Sequence, residues 1–150
     1  MMKRFHVTAM GLFLTMFVSL HALAYDFEVN GLYYNVVSLE NLTCEVSSPN
    51  EKDIKYSGII NIPSEVDYKG KKLDVIGIGN SAFYDCENLK EVLLPESITS
   101  IGSNAFESCY NLEQVNLPAS ISYLGECAFE NCRKLSSVIL SLIHISEPTR

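Results

Sequence analysis

The sequence predicts a repeat solenoid in which short parallel strands alternate with short helical or 3₁₀ turns, an α/β repeat class, preceded by a β-rich N-terminal cap. Three observations support this prediction. One pattern of apolar residues recurs every 23 residues in the carboxyl half of the chain. Each recurrence contains a short β-type segment, and two of these segments end at a proline. Residues 25–57 do not follow the pattern and contain an Asn-Gly hairpin signal instead.

The repeat is visible when three segments are aligned. Residues 78–95 read IGNSAFYDCENLKEVLLP, residues 101–118 read IGSNAFESCYNLEQVNLP, and residues 124–140 read LGECAFENCRKLSSVIL. Glycine, alanine, phenylalanine, cysteine, leucine and valine return at the same places in all three. A fixed period in the twenties is typical of a solenoid, because one repeat cannot bury its apolar face alone and has to stack on its neighbours.

The order of elements within one repeat also follows from the pattern. The segments LKEVLL and LEQVNL predict strands that end at the following proline. The A-F-x-x-C-x-x-L spacing places Phe, Cys and Leu three residues apart, which predicts one side of a helical or 3₁₀ turn. The glycines that precede this turn, Gly79, Gly102 and Gly125, are expected to permit a bend with positive φ.

The pattern I-G-x-x-A-F-x-x-C-x-x-L-x-x-V-x-L-P closely resembles the BspA-type leucine-rich repeat, also called the Treponema-type repeat. The resemblance implies a curved leucine-rich-repeat solenoid. It also implies exported proteins that act at cell surfaces through adhesion or ligand binding. Residues 58–140 are therefore expected to form the leucine-rich repeats, with an irregular first unit, and residues 25–57 a β-rich cap that shields the first repeat.

Residues 1–24 have the features of a secretory signal peptide. Lys3 and Arg4 precede an uncharged apolar run at residues 7–20, and an A-x-A cleavage signature follows at 22–24. The run is short for a membrane span, although a membrane anchor is the alternative. The mature chain is therefore expected to be secreted or held at the cell surface, without a membrane span.

Charge and histidine content exclude several classes of function. The formal net charge of −7 becomes −9 when the signal peptide, which carries two basic and no acidic residues, is removed. Such a surface repels nucleic acid. Histidine occurs at positions 6, 21 and 144, all outside residues 25–140. A histidine-activated nucleophile and the usual zinc or copper ligand sets are therefore excluded from this region, and no cofactor is expected.

Cys86, Cys109 and Cys132 occupy one position of the repeat, three residues after a phenylalanine and three before a leucine. A free cysteine behaves as a small buried hydrophobic residue, so we interpret the three as interior packing. A nucleophilic role is disfavoured because residues 25–140 contain no histidine to act as the base. A zinc site would need a second close pair of cysteines in addition to Cys127 and Cys132. A disulfide to Cys44 stays open, whereas cysteines of adjacent repeats point in parallel and are poorly placed for a bridge.

Residues 141–150, SLIHISEPTR, depart from the period. The pattern requires proline at 141 and glycine at 148, where Ser141 and Pro148 stand. The stretch LSLIHISEPTR equals the translation of a transposase adapter used in sequencing libraries. We therefore interpret residues 141–150 as a sequencing artefact and expect further repeats in the natural protein. An unusual terminal cap is the alternative.

A non-catalytic binding module is the function that these observations favour. Side chains that point outward from successive strands of a solenoid form one continuous surface, and here they differ between repeats while the inward ones recur. The candidate binding residues are Glu91, Leu93, Gln114, Asn116, Ser137 and Ile139. Together with the resemblance, they predict a protein or glycan ligand at a cell surface or in a matrix.

Two alternatives stay open. In the first, the chain is the recognition domain of a larger secreted enzyme whose catalytic part lies beyond residue 150. In the second, residues 25–140 form a hydrolase that uses paired carboxylates, either Asp85 with Glu87 or Glu107 with Glu113. Acidic residues in loops and surface positions are more often a solvated face, which favours the binding module.

Overall fold

The computed structural model describes residues 25–49 and 55–140, and the predictions for residues 1–24 and 141–150 lie outside these ranges. The described residues form two sheets, and no helix that could cross a lipid bilayer occurs among them. In chain order the strands are β1 Phe27–Val29, β2 Leu32–Ser38, β3 Thr43–Ser47, β4 Gly58–Asn61, β5 Glu65–Tyr68, β6 Lys71–Ile78, β7 Leu89–Leu93, β8 Ser100–Ile101, β9 Gln114–Leu117, β10 Tyr123–Leu124 and β11 Ser137–Leu140.

Sheet B, the four-stranded sheet, contains one strand from each repeat. Its strands are all parallel and follow the order β4, β7, β9, β11. Val92 of β7 lies in register with Ile60 of β4 and with Val115 of β9, and Val115 lies in register with Val138 of β11. From β7 onward each residue pairs with the residue 23 positions away. The period of the sequence is therefore the step from one strand to the next.

Sheet A has seven strands and contains both parallel and antiparallel pairs. β6, β8 and β10 come from successive repeats and are parallel neighbours, whereas β5 forms an antiparallel hairpin with β6. β8 and β10 have two residues each. The sequence predicted one strand per repeat and missed this second one, because two residues are too few to show a strand periodicity.

The N-terminal strands extend sheet A. β1 and β2 form the hairpin that the Asn-Gly pair predicts, with Phe27 opposite Tyr34. Asn30 and Gly31 at the turn have φ angles of 52° and 79°, as a tight hairpin turn requires. β3 then pairs antiparallel with β2 and parallel with β6. The first repeat is therefore covered by β3 in sheet A.

The interior between the sheets contains the side chains that recur in the sequence. Phe83 stacks on Phe106 with ring centroids 4.9 Å apart, and Phe106 stacks on Phe129 at 5.1 Å. Tyr56 packs against the other side of Phe83 at 4.7 Å, and its hydroxyl donates a hydrogen bond to the carbonyl of Ser47. Other buried pairs at equivalent positions are Ile78 and Ile101, Ala82 and Ala105, Cys86 and Cys109, Leu89 and Leu112, and Val92 and Val115.

No helix occurs in the turns that connect the sheets within the described residues, so the short helical or 3₁₀ turns that the sequence predicts are not confirmed. Ser81 and Asp85 both have positive φ, 56° and 58°, and the equivalent residues of the next two repeats do the same. Hydrogen bonds alternate along the turn. The N–H of Tyr84 donates to the carbonyl of Ser81 within the turn, whereas the N–H of Phe83 donates to Ala105 of the next repeat. Because alternate donors serve the neighbouring repeat, a continuous helix cannot form.

The glycines that begin each turn do not have positive φ, which corrects a second expectation. They are required because neighbouring repeats approach closely at these points. A Cβ atom on Gly102 would lie 2.6 Å from the main-chain nitrogen of Asn80, and one on Gly125 would lie 2.3 Å from that of Ser103. Both distances are too short for a side chain, so glycine sets the spacing between repeats.

Candidate ligand-binding face

Four of the six candidate binding positions, Glu91, Leu93, Gln114 and Asn116, lie on the outer face of sheet B, and the other two, Ser137 and Ile139, lie in register with them on β11. The register places them in two rows that cross the strands. The first row consists of Ile59, Glu91, Gln114 and Ser137, and the second row consists of Asn61, Leu93, Asn116 and Ile139. The structure thus brings all six positions onto one sheet and adds two residues of β4 to them.

Ile59 and Asn61 were not anticipated from the sequence. They belong to the irregular first repeat, where the β5–β6 hairpin interrupts the 23-residue spacing before β7. Ile59 is 64% exposed, more than any other large apolar side chain among the described residues. A signal for them exists: Ile62-Pro63 corresponds to the Leu-Pro pair after β7, and this alignment places Ile59 level with Glu91 and Asn61 level with Leu93.

The side chain of Asn116 is bound to the neighbouring repeat. Its amide oxygen accepts a hydrogen bond of 2.7 Å from the N–H of Leu94, and its amide nitrogen donates one of 3.0 Å to the carbonyl of Leu94. This amide continues the pairing between the two repeats at the point where Pro95 ends the strand segment. Leu93 and Asn116 are half-buried and Asn61 is exposed, so these three residues of the second row offer a ligand the leucine, one face of the Asn116 amide and the side chain of Asn61.

A shallow depression of about 250 Å³ lies along the first row. Its lining residues are Ile59, Lys90, Glu91, Glu113, Gln114 and Ser136. In the described part of the chain the ion pairs join Lys55 to Asp85 and Lys72 to Glu65, and neither glutamate of the depression takes part in one. Drug-sized ligands usually occupy about 300–1,000 Å³. The depression therefore suits a side chain of a larger ligand.

The repeat cysteines pack in the interior, as the sequence predicts. All five cysteines of the chain are free thiols, and Cys86 and Cys109 are buried. The thiol of Cys109 also donates a hydrogen bond to the carbonyl of Phe83, and the thiol of Cys132 donates one to Phe106, both at 3.0 Å. Besides filling space, these thiols therefore link each repeat to the preceding one.

The thiols of Cys86, Cys109 and Cys127 are poorly ionised at neutral pH, whereas the hydrogen bond with the Cys109 thiol lowers the pKa of Cys132. Burial raises the pKa of Cys86 to about 11. Contact with the Cys132 thiol, together with burial, also raises the pKa of Cys109. Cys127 is exposed, and a hydrogen bond with Glu130 raises its pKa as well. Because the thiolate is the nucleophilic form, thiol chemistry is disfavoured at these three positions.

The candidate carboxylate pairs do not form an enclosed catalytic site. Asp85 pairs with a lysine at the surface, and Glu107 accepts a hydrogen bond from the side-chain amide of Asn104. Glu87 and Glu113 are exposed. Within residues 25–49 and 55–140, no group of three or more His, Cys, Asp or Glu side chains could hold a metal ion.

The model of the BspA-type leucine-rich repeat region matches residues 66–148 in six copies. This chain belongs to the BspA-type leucine-rich repeat family. The match confirms the family that the motif indicated, and it covers the chain from β5 onward.

Several solved leucine-rich repeat structures are similar to this family member. A leucine-rich repeat protein from Bacteroides ovatus is 38% identical, with a TM-score of 0.69 over 77% of this chain and 30% of that one. A leucine-rich cell surface protein from Faecalibacterium prausnitzii is 25% identical, with a TM-score of 0.61 over 72% of this chain and 28% of that one. The T. pallidum leucine-rich repeat protein is 24% identical, with a TM-score of 0.63 over 77% of this chain and 50% of that one.

The chain therefore spans half or less of the length of these three proteins. The fold that they share with it is the leucine-rich repeat fold. No curated protein matches the chain.

Proposed function

We propose that the chain is the exported, non-catalytic binding module of a cell-surface protein, and that the outer face of sheet B binds a protein or glycan ligand. This proposal rests on the difference in side-chain variation between the buried and the outer side of sheet B. Val92 and Val115 repeat on the buried side, whereas the first outer row reads Ile, Glu, Gln and Ser. Outward-facing positions that differ along a rigid sheet suit recognition, because the interior packing does not fix their identity.

The proposed module begins with a signal peptide at residues 1–24. A β-rich cap at 25–57 and a leucine-rich-repeat solenoid at 58–140 follow it. The cap is supported by β3, which covers the first repeat in sheet A, and by Tyr56, which packs against the end of the phenylalanine stack. Residues 141–150 remain a proposed sequencing artefact. Sequencing the native gene across this junction tests that part, and a natural stop codon after Arg150 would contradict it.

Two observations support export to the cell surface. The N-terminal sequence has the charge, apolar run and A-x-A signature of a signal peptide. The similar protein from F. prausnitzii is a cell surface protein. Mass spectrometry of the protein recovered from the producing cells should find a mature N-terminus at Tyr25, and an intact Met1 terminus would contradict export by cleavage.

Binding without catalysis is favoured by the chemistry of residues 25–140. This part of the chain contains no histidine to activate a nucleophile. Its buried thiols have raised pKa values, and its paired carboxylates lie at the surface. A rigid face with variable side chains is the feature that remains, and recognition is the activity that such a face supports.

A triple variant tests the outer face directly. Glu91→Lys, Leu93→Lys and Gln114→Lys together raise the net charge by four at half-buried outer positions and leave the buried interior side chains unchanged. Glu96→Lys with Glu126→Lys is the matched control, because it adds the same charge at exposed positions outside the two rows. Urea unfolding should show that both variants keep the fold.

The binding assay uses the full-length mature protein against immobilised matrix proteins and a glycan array. We expect the triple variant to lose the ligands that the wild-type protein binds, and the control to keep them. Unchanged affinity in the triple variant would reject this surface. Equal loss in both variants would show that net charge, rather than this face, determines binding.

A further inference from the structure

Sheets A and B end differently on the N-terminal side of the repeats. In sheet A, β3 pairs with β6 and covers the first repeat. In sheet B, β4 is the last strand, and among the described residues it pairs with β7 alone. An edge strand presents unpaired backbone groups, which can bind another strand. Within the described residues, the N-terminal strands thus protect sheet A and leave the edge of sheet B open.

The backbone groups left open on β4 can be identified. The N–H groups of Gly58 and Ile62 each donate a hydrogen bond of 2.9 Å to carbonyls on the β7 side. Backbone groups alternate sides along a strand, so the N–H and C=O groups of Ile59 and Asn61 face away from β7. These two donors and two acceptors are here called the β4 edge.

The sequence of β4 does not protect this edge. Its residues, Gly-Ile-Ile-Asn, contain no proline and no charge, although proline and lysine are the usual means of blocking an edge strand. Between Gly58 and Ile59 the pairing with β7 shifts by one residue, and the extra residue lies in β7. The strand β4 itself therefore has no bulge that would block its edge. The side chain of Ile59 is also largely exposed. The β4 edge is therefore competent to pair with an extended chain.

The surface beside this edge is acidic. Glu91 and Glu113 line the depression together with one lysine, and neither carboxylate has an ion-pair partner among the described residues. The whole chain carries a formal net charge of −7. A basic ligand would complement this surface and would be attracted to it from solution.

We propose that the β4 edge binds an extended, basic segment of a partner protein as an added strand. The backbone of the segment pairs with Ile59 and Asn61, and a lysine or arginine of the segment reaches toward Glu91, while Glu113 adds to the negative charge of the depression. The side chain has to be long because β7 lies two strand spacings, roughly 10 Å, from the added strand. Its apolar stem then packs on Ile59. The proposal rests on the proposed function, since the same side of sheet B takes part.

A second copy of this chain is a poorer occupant, because both copies carry the same negative charge. An added strand would also form hydrogen bonds with the donors and acceptors of the β4 edge. A folded partner without an extended segment would leave these backbone groups unpaired. The chemistry of the edge and of the depression therefore favours the basic segment.

The test uses a synthetic nine-residue peptide of alternating valine and lysine with blocked ends, labelled for fluorescence anisotropy. Asn61→Pro removes one open N–H and leaves the pairing with β7 intact, and Asn61→Ala is the matched control that keeps the N–H. We expect the alanine variant to bind like the wild-type protein and the proline variant to bind at least about tenfold more weakly. Glu91→Gln with Glu113→Gln should weaken binding and reduce its dependence on salt.

Two altered peptides make the test independent of the folding of any variant. A peptide with glutamate in place of lysine should not bind, and one with N-methyl groups on alternate amides should bind at least about tenfold more weakly. No binding of the lysine peptide at about 1 mM, equal binding of either altered peptide, or unchanged binding by Asn61→Pro would overturn the proposal. A concentration-dependent dimer that Asn61→Pro abolishes would assign the edge to a second copy instead.

The two proposals fail in different ways. If the triple variant of the outer face loses its matrix or glycan ligand while Asn61→Pro binds the lysine peptide as tightly as the wild-type protein does, the proposed function stands and strand addition at the β4 edge is wrong. If Asn61→Pro loses the peptide while the triple variant retains its matrix or glycan ligand, the edge is a binding site and the outer rows are not.

Discussion

Replacement of Phe106 by alanine should destabilise the protein more than the same replacement at Phe129. Phe106 is fully buried and stacks on Phe83 at 4.9 Å and on Phe129 at 5.1 Å. Loss of a buried phenylalanine side chain costs about 3–5 kcal/mol, and the loss of two ring stackings places Phe106 near the upper end. Phe129 is half-buried and stacks on one ring among the described residues. We therefore expect a cost of roughly 2–3 kcal/mol there.

Urea unfolding followed by far-UV circular dichroism measures both costs, which suits a chain without tryptophan. Phe106→Leu is the control, because leucine keeps most of the apolar volume and should cost about 1–2 kcal/mol. Equal costs for alanine at the two positions, or a cost under about 1 kcal/mol for Phe106→Ala, would refute a continuous stack of rings in the interior.

Other parts of the fold can be tested in the same way. Gly102→Ala should cost about 1–3 kcal/mol because its Cβ would meet the main chain of the preceding repeat. Gly31→Ala, with no atom within 4 Å, should cost roughly 1 kcal/mol for its positive φ, and thermal unfolding compares the two. Burial raises the pKa of Cys86 to about 11 and that of Cys44 to about 12, from an ordinary value of 9.0. Stability should therefore be full below pH 9 and fall as the pH rises toward 12, and a urea midpoint that increases over this range would contradict the assignment. Cys109→Ser should lower the urea midpoint without abolishing ligand binding, and loss of binding by a fully folded variant would show that this cysteine does more than pack.

The repeating interior could be predicted because it depends on side chains that recur in the sequence. The stack of Phe83, Phe106 and Phe129 and the pairing of Val92 with Val115 both follow from a spacing of 23 residues. The β1–β2 hairpin could be predicted as well, because the Asn-Gly pair determines its turn locally. In each case the information lies in the segment itself or in its copies.

The backbone contacts between repeats could not be predicted in this way. Ser81 has positive φ although it is not glycine, and its N–H donates to the carbonyl of Ser103 in the next repeat. Gly102 is required by the main chain of Asn80 and not by its own φ. Both features are set by residues more than 20 positions away, whereas the pattern within one repeat suggested a helical turn.

The candidate site, too, could be predicted from the sequence only in part. The six outer positions could be placed on one face because strand alternation determines which side chains point outward. Ile59 was missed because the β5–β6 hairpin breaks the period, and the open edge of β4 was missed because edge strands are defined by the order of strands in the sheet. A local pattern does not contain that order.

The two rows of the outer face differ in what they can contribute to recognition. In the second row the amide of Asn116 holds the backbone of Leu94, so a change at this position alters the contact between repeats as well as the surface. In the first row no side-chain hydrogen bond to a described residue engages Glu91 or Gln114, and Ile59 is largely exposed. Under the proposed function, substitution there should affect a ligand without a comparable loss of stability, because no contact between repeats depends on it. The specificity of the proposed face could therefore change along the first row, next to the β4 edge, while Asn116 of the second row preserves the contact between repeats.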